Sequence, residues 1–292
     1  MFKGTYTAIV TPFKSGEVDE TALRNLIRMQ IEAGVEGIVP VGTTGESPTL
    51  SFEEHTRVIQ LAVEYADKKL KVIAGTGANS TSEAVYLTRV AEKAGADASL
   101  LVAPYYNKPT QEGLFQHFRE IARSTKLPII LYNIPGRCGV EIALDTVKRL
   151  AEACANIVGI KEAGGNSDRV SQMVLGLGGK FCILSGDDSL TLPFMAAGAC
   201  GVISVASNVI PRQLAQMVRD FAAGQLAAAQ KIHFQYFPLM RDLFIETNPG
   251  PVKAALAMLG LIQEEYRLPI VPMAAKNRDA LKATLQNCGL LK

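Results

Sequence analysis

The chain has 292 residues, 48% of them apolar, and its 30 basic and 28 acidic residues leave a formal charge of +2. That is enough apolar material for a large core in one or two domains. The even charge and the absence of a basic block argue against a nucleic-acid partner, and no apolar run is long and helical enough to span a bilayer.

The start, Met1-Phe2-Lys3-Gly4, runs directly into a strand-like segment without a signal-peptide layout. The five cysteines (Cys138, Cys154, Cys182, Cys200 and Cys288) are odd in number, widely spaced and form no CxxC pair. They are expected to be reduced, in a cytoplasmic protein. His55, His117 and His233 lie far apart; they offer no metal set, and the reading calls for neither metal nor cofactor.

Short apolar strands alternate with helical patterns. Tyr6 to Val10 is the first strand. Leu23, Leu26, Ile27, Gln30 and Ile31 then sit at helical spacing, and Gly34 ends that helix. Gly37 to Val41 is the second strand, followed by the loop Gly42-Thr43-Thr44-Gly45-Glu46-Ser47. Ser51 with Glu54 predicts a capping box for the next helix. Val72 to Ala74 is the third strand, and Ser80 or Thr81 caps a helix beyond it. Ala98 to Val102 is the fourth strand, running into Pro104-Tyr105-Tyr106-Asn107-Lys108-Pro109, with a helix over Gln111 to Arg123. Ile129 to Tyr132 is the fifth, with a turn at Pro135-Gly136-Arg137 and a helix from Ala143 to Ala151. Ile157, Val158 and Ile160, with Gly159 among them, make a sixth strand ending at Lys161, and a short helix follows near Asp168 to Leu175. Phe181 to Leu184 and Gly201 to Val205 are the seventh and eighth strands, separated by a helix over Leu190 to Ala197. Pro211 to Ala223 is the eighth helix.

Eight such units predict an α/β fold, a (β/α)8 TIM barrel rather than an open sheet. Residues 225–292 contain no good strand. Leu226 to Leu243, bent near Pro238, Pro251 to Leu259 and Asn277 to Asn287 read as helices. The expected organisation is a catalytic barrel over 1–224 and a C-terminal three-helix appendage over 225–292.

In such barrels the functional loops follow the C-terminal strand ends. Those ends hold Thr43, Thr44, Tyr106, Tyr132, Arg137 and Lys161. A lysine at the end of a buried strand loses part of its charge to desolvation, and a neutral amine attacks carbonyls. Tyr132 ends the preceding strand and can carry protons beside that amine. The Gly42-Thr43-Thr44-Gly45 hydroxyls and backbone N–H groups suit a carboxylate, and Arg137 can hold a second one bidentately. Taken singly, each has an ordinary structural use, as a snorkelling lysine, a packing tyrosine, a glycine turn or a solvated arginine. Tyr105 and Tyr106 suggest a lid or a subunit contact. For the Asp187-Asp188 pair the expectation is a helix N-cap.

Three further segments, Val102-Ala103-Pro104-Tyr105-Tyr106-Asn107-Lys108-Pro109, Tyr132-Asn133-Ile134-Pro135-Gly136-Arg137 and Gly159-Ile160-Lys161-Glu162-Ala163, join the Gly42–Ser47 loop in a recognisable pattern. Across essentially its whole length the chain resembles the dihydrodipicolinate (4-hydroxy-tetrahydrodipicolinate) synthases of the pyruvate-dependent class I aldolase superfamily. That resemblance implies condensation of pyruvate with L-aspartate-4-semialdehyde through an imine on Lys161, in lysine and diaminopimelate biosynthesis. It implies a proton relay of Thr43, Tyr132 and Tyr106, the last donated to a neighbouring subunit. Thr44 would hold the pyruvate carboxylate, Arg137 the semialdehyde carboxylate, and Gly186 and Ile203 would line the pyruvate pocket. The expected assembly is a homotetramer, a dimer of dimers. Ser47, Pro48, His55, Asn79, Glu83 and Tyr105 match the positions where L-lysine binds as an inhibitor in many bacterial members. The chain departs from the family pattern at Phe52, where sensitive members often carry histidine, and at Pro48, often alanine. Cys138 replaces a usual threonine and Gly250 a usual isoleucine. Two other readings compete. A sugar-acid lyase of the same superfamily would draw on Asp187, Asp188, Ser189 and Ser207. A non-catalytic sensor of pyruvate or an amino acid should lack the lysine, tyrosine and threonine set that this chain keeps.

Overall fold

The computed structural model describes residues 2–179 and 181–292. Among them, eight parallel strands close a barrel: β1 (Gly4–Ala8), β2 (Gly37–Val39), β3 (Lys71–Gly75), β4 (Ala98–Val102), β5 (Ile129–Asn133), β6 (Ile157–Glu162), β7 (Cys182–Ser185) and β8 (Gly201–Ser204). Each strand pairs with its sequence neighbours, and β8 pairs with β1 to complete the circle. The strands read as continuous apolar runs because both faces are covered. Tyr6, Ala8, Val39, Ile73, Leu100, Ile130, Tyr132, Leu184 and Ile203 fill the lumen. Leu101, Leu131, Ile160 and Ile183 face the opposite way and pack with Phe118, Ile121, Val147, Leu150 and Met173 of the surrounding helices.

The helices stop and start where local chemistry dictates. Helix α1 (Glu20–Ala33) ends on Gly34 at φ 74°, a left-handed conformation that glycine adopts without a Cβ penalty. Helix α2 (Phe52–Ala66) begins with the full capping box of Ser51 and Glu54. Helix α3 (Thr81–Ala94) is capped by Ser80, and α4 (Gln111–Arg123) by Thr110. Then follow α5 (Leu144–Ala153), α6 (Ser167–Leu177), α7 (Thr191–Ala196) and α8 (Pro211–Ala222). Two local features depart from the sequence reading. A two-residue hairpin pairs Phe13–Lys14 with Glu17–Val18, and Pro135–Cys138 forms one helical turn instead of an open turn. Proline at the first helical position costs nothing there, because its missing N–H would have no partner.

One irregularity decides the chemistry. Ile129 pairs with Ile157, but the next residue, Ile130, pairs with Gly159. One extra residue, Val158, is therefore inserted in β6, a β-bulge. Were these same residues paired without the bulge, the period-2 alternation that sends Ile157 outward would send Lys161 outward too. With the bulge, Ile160 faces the helices, and Lys161 turns in beside Tyr132, its partner in the register. Gly159 permits the distortion, since a Cβ there would lie 2.5 Å from the Cys182 carbonyl oxygen.

The C-terminal segment forms α9 (Leu226–Asp242), with Pro238 inside it, α10 (Gly250–Met258) and α11 (Ala275–Asn287). Helix α9 packs along α8, and α11 packs on both α9 and α10. Tyr236, Leu239, Val252, Leu256, Leu281 and Leu285 belong to the same apolar cluster as Leu23, Ile59 and Leu214 around the barrel. No helix of the described residues is long and apolar enough to cross a membrane.

Candidate active site

Lys161 lies at the C-terminal end of β6 and is 6% exposed. Its Nζ sits 4.3 Å from the centre of the Tyr132 ring. Burial lowers its pKa to about 8; Asp188 opposes that shift and Arg137 adds to it. A fully charged amine would be costly here without a close carboxylate partner. Gly186 makes the placement sterically feasible, because a Cβ on it would come within 3.0 Å of Lys161 Cε.

Tyr132 is also buried, and burial drives its phenol pKa well above the ordinary value, with Arg137 and a hydrogen bond to the Thr43 side chain pulling the other way. It therefore stays a neutral O–H at physiological pH, able to accept and pass on a proton. Thr44 is buried, and its Oγ1 accepts a hydrogen bond of 3.1 Å from Asn248 Nδ2. Arg137 stands exposed at the rim, and its Nη2 donates 3.1 Å to the Asn248 carbonyl. The loop behind Thr43 and Thr44 is strained. Val41 adopts φ 51° and Glu46 φ 55°; for a β-branched valine this region is rare.

A cavity of about 210 Å³ opens among Thr43, Tyr105, Tyr132, Arg137, Cys138 and the glycines at 42, 75 and 77. Thr43, Tyr132 and Arg137 thus face one space large enough for small carboxylic acids. Lys161, Thr44, Gly186 and Ile203 do not line it; the Tyr132 ring does, and its centre lies 4.3 Å from the amine. Ile203 is fully buried in the lumen. Tyr106 is not brought into the site at all. It is 90% exposed and holds φ 73°.

The dihydrodipicolinate synthetase family profile matches residues 1–288. The chain belongs to that family. It is 53% identical over 293 residues to the 4-hydroxy-tetrahydrodipicolinate synthase of Persephonella marina, covering 100% of both chains. The solved 4-hydroxy-tetrahydrodipicolinate synthase of Methylacidiphilum fumariolicum superposes with a TM-score of 0.98 at 58% identity, over 99% of this chain and 96% of that one. A third similar structure is the chloride-inhibited dihydrodipicolinate synthase of Acinetobacter baumannii complexed with pyruvate, at TM-score 0.97 and 47% identity over the full length of both chains.

The departures from the dihydrodipicolinate synthase pattern have visible consequences. Cys138 is buried in the wall of the first cavity, where burial pushes its thiol up to about 11 and keeps it protonated. Gly250 opens α10, and a Cβ placed on it meets nothing within 4 Å. Beside it lies a cavity of about 490 Å³ lined by Glu246, Thr247, Pro269, Ile270 and Val271. Ser47, Pro48, His55, Glu83 and Tyr105 line another cavity, of about 190 Å³, with exposed Phe52 at its edge. Asn79 is not among its lining residues, but its Nδ2 donates to the Tyr105 carbonyl at 3.1 Å. His55 is buried and held to the Gly75 carbonyl at 2.9 Å; burial lowers its pKa, so it is neutral.

The expectation for Asp187 and Asp188 is corrected. Neither caps α7, which has no side-chain cap. Asp188 is buried, and its Oδ2 accepts from the Val205 and Ala206 amides at 3.0 and 2.8 Å, pinning the loop after β8. Asp187 Oδ1 closes a local turn by accepting from the backbone N–H and hydroxyl of Ser189. Sequence reasoning also missed the support beneath the lysine. Glu162 is fully buried, and it accepts from Asn133 Nδ2, the Gly164 amide and Arg169 Nε. Arg169 also donates to the Ile142 carbonyl. The alternation visible once the bulge is counted could have flagged Glu162 as the outward neighbour of an inward lysine.

Proposed function

We propose that the reaction runs through an imine between Lys161 and pyruvate. The chain is an enzyme, a lyase: it condenses pyruvate with L-aspartate-4-semialdehyde to give 4-hydroxy-tetrahydrodipicolinate, in the biosynthesis of diaminopimelate and lysine. The observation that carries the mechanism is the buried Lys161 amine, lowered to about pKa 8 and set against the Tyr132 ring.

In this reading the neutral amine adds to the ketone carbon of pyruvate and water leaves, forming the imine. Loss of a methyl proton gives an enamine, which attacks the aldehyde carbon of the second substrate. The amine of that substrate then adds to the imine carbon, closes the ring and expels Lys161. Thr43, Tyr132 and Tyr106 carry the protons, with Tyr132 suited to the task because it stays a neutral hydroxyl. Thr44 and the loop amides hold the pyruvate carboxylate, Arg137 holds the semialdehyde carboxylate, and Gly186 and Ile203 bound the pyruvate pocket.

Tyr106 belongs to the neighbour's site in this scheme, which makes the working unit a dimer within a homotetramer. Supporting this, a large aromatic side chain held in solvent at a left-handed φ pays strain with nothing gained inside its own chain. The cavity at Ser47, Pro48, His55, Glu83 and Tyr105, with Asn79 beside it, is the proposed seat of an L-lysine effector. The catalytic barrel over 1–224, the appendage over 225–292 and a cytoplasmic location complete the reading.

Incubation with pyruvate and borohydride, followed by peptide mapping, tests the centre of the scheme. The reduced adduct is expected on Lys161, and Lys161→Ala is expected to abolish both adduct and condensation. An adduct on another lysine, or undiminished condensation by the alanine variant, sinks the mechanism.

A further inference from the structure

Lys253 is a lysine that the imine chemistry does not use, yet it is fully buried in α10. Its Nζ lies 2.5 Å from Glu46 Oε1, and neither side chain is more than 1% exposed. The ammonium also sits 4.2 Å from the centre of the Phe13 ring and 5.5 Å from that of Tyr266. Among the described residues, Glu46 Oε2 has no hydrogen-bond partner. Such a pair is a poor way to gain stability, because desolvating two charges offsets most of their attraction, and apolar residues of like volume would do as well. What a buried pair supplies is a fixed relative position.

Glu46 closes the strained loop after β2. Its N–H donates to the Thr43 carbonyl at 3.1 Å, the Gly45 N–H donates to Gly42 at 3.1 Å, and Thr11 Oγ1 holds the Gly45 carbonyl at 2.7 Å. A displacement of Glu46 is therefore passed to Thr43 and Thr44. Five residues before Lys253, Asn248 reaches the same loop: its Nδ2 donates to Thr44 Oγ1. That bond occupies the oxygen and leaves the Thr44 proton free for a carboxylate. The Asn248 carbonyl accepts from Arg137. One short segment of the C-terminal region thus touches both groups assigned to substrate carboxylates.

We propose that Glu46 and Lys253 are positioning residues, whose buried ion pair holds the Gly42–Gly45 loop in the geometry that binds the pyruvate carboxylate. The proposal rests on the reading of that loop as the carboxylate cradle. The pair acts through the loop and touches no substrate.

The test is the paired replacement Glu46→Gln with Lys253→Met, which removes both charges and roughly keeps volume. The folded double variant is expected to keep a Tm close to that of the parent. Its KM for pyruvate is expected to rise tenfold or more, while kcat falls less than threefold and borohydride at saturating pyruvate still marks Lys161. A pyruvate KM within twofold of the parent overturns the proposal, as does a loss confined to kcat. If the double variant does not fold, Glu46→Gln alone, which keeps shape and one hydrogen bond to the amine, is judged by the same KM. Thr44→Val separates the two levels. A raised KM in Thr44→Val with a normal KM in the paired variant refutes the ion-pair role alone. A normal KM in Thr44→Val removes the cradle reading, and the ion-pair role with it.

Discussion

The pH dependence of imine formation follows from the surroundings of Lys161. Its pKa falls from 10.5 to about 8, chiefly by burial. With that value about one amine in ten is neutral at pH 7, against roughly one in 3,000 for an unperturbed lysine, a gain of about 300-fold in competent nucleophile. The rate of adduct formation at low, fixed pyruvate should therefore rise about tenfold per pH unit up to about pH 7.5, bend near 8 and level off above 9. Quenched-flow trapping with borohydride, read as adduct mass, measures it. A rate already flat from pH 6 to 8 would mean an amine neutral throughout. A rate still climbing past pH 10 would mean one that is not perturbed. Either result refutes the argument. Stability carries the opposite face of the same shift. Between about pH 8 and 10.5 the unfolded chain binds more protons at this residue than the folded one. Its contribution to stability thus improves as pH rises through that window and stays at its full cost below it, on the order of 3 kcal/mol.

Three further expectations concern other residues. Arg169→Ala leaves the buried Glu162 carboxylate without its cation, and should cost about 3–5 kcal/mol in urea unfolding. The pair Glu162→Gln with Arg169→Met should regain most of that, and a single-variant loss under about 1 kcal/mol would show the ion pair to be idle. Gly250→Ala places a methyl in open space at a helix start. It should stabilise by about 0.4–1 kcal/mol through the unfolded state, visible as a Tm gain of about 1–3 °C; a lower Tm would contradict the geometry. Tyr106→Phe should reduce turnover while leaving the pyruvate adduct on Lys161 intact, and unchanged turnover would exclude its hydroxyl from the relay.

Much of the fold was legible because the signals are local. Apolar runs bounded by glycine, the Ser51–Glu54 box and the Gly34 stop all act within a few residues, and the structure has them as read. The one-turn helix at Pro135–Cys138 was hidden because Pro-Gly reads first as a turn, although proline at a helix start was the available clue. Asp188 was misjudged for another reason. Two adjacent acids at a strand end carry no mark of which one turns inward, and its partners, the amides of Val205 and Ala206, lie 17 and 18 residues away. The Glu46–Lys253 contact spans 207 residues. No pattern along the chain announces such a meeting; only barrel closure and the return of α10 to the strand ends bring it about.

The inserted Val158 has a consequence for how this protein tolerates insertions and deletions. Removing that one residue would leave Gly159, Ile160, Lys161 and Glu162 opposite the partners they already have, with the amine still beside Tyr132. One residue added beyond it, between Gly159 and Ile160, would instead set Ile160 opposite Tyr132 and Lys161 opposite Asn133, turning the amine out toward the helices and Glu162 into the barrel. The strand would thus forgive a single-codon deletion at 158 and be silenced by a single-codon insertion two positions on, with every functional side chain still encoded.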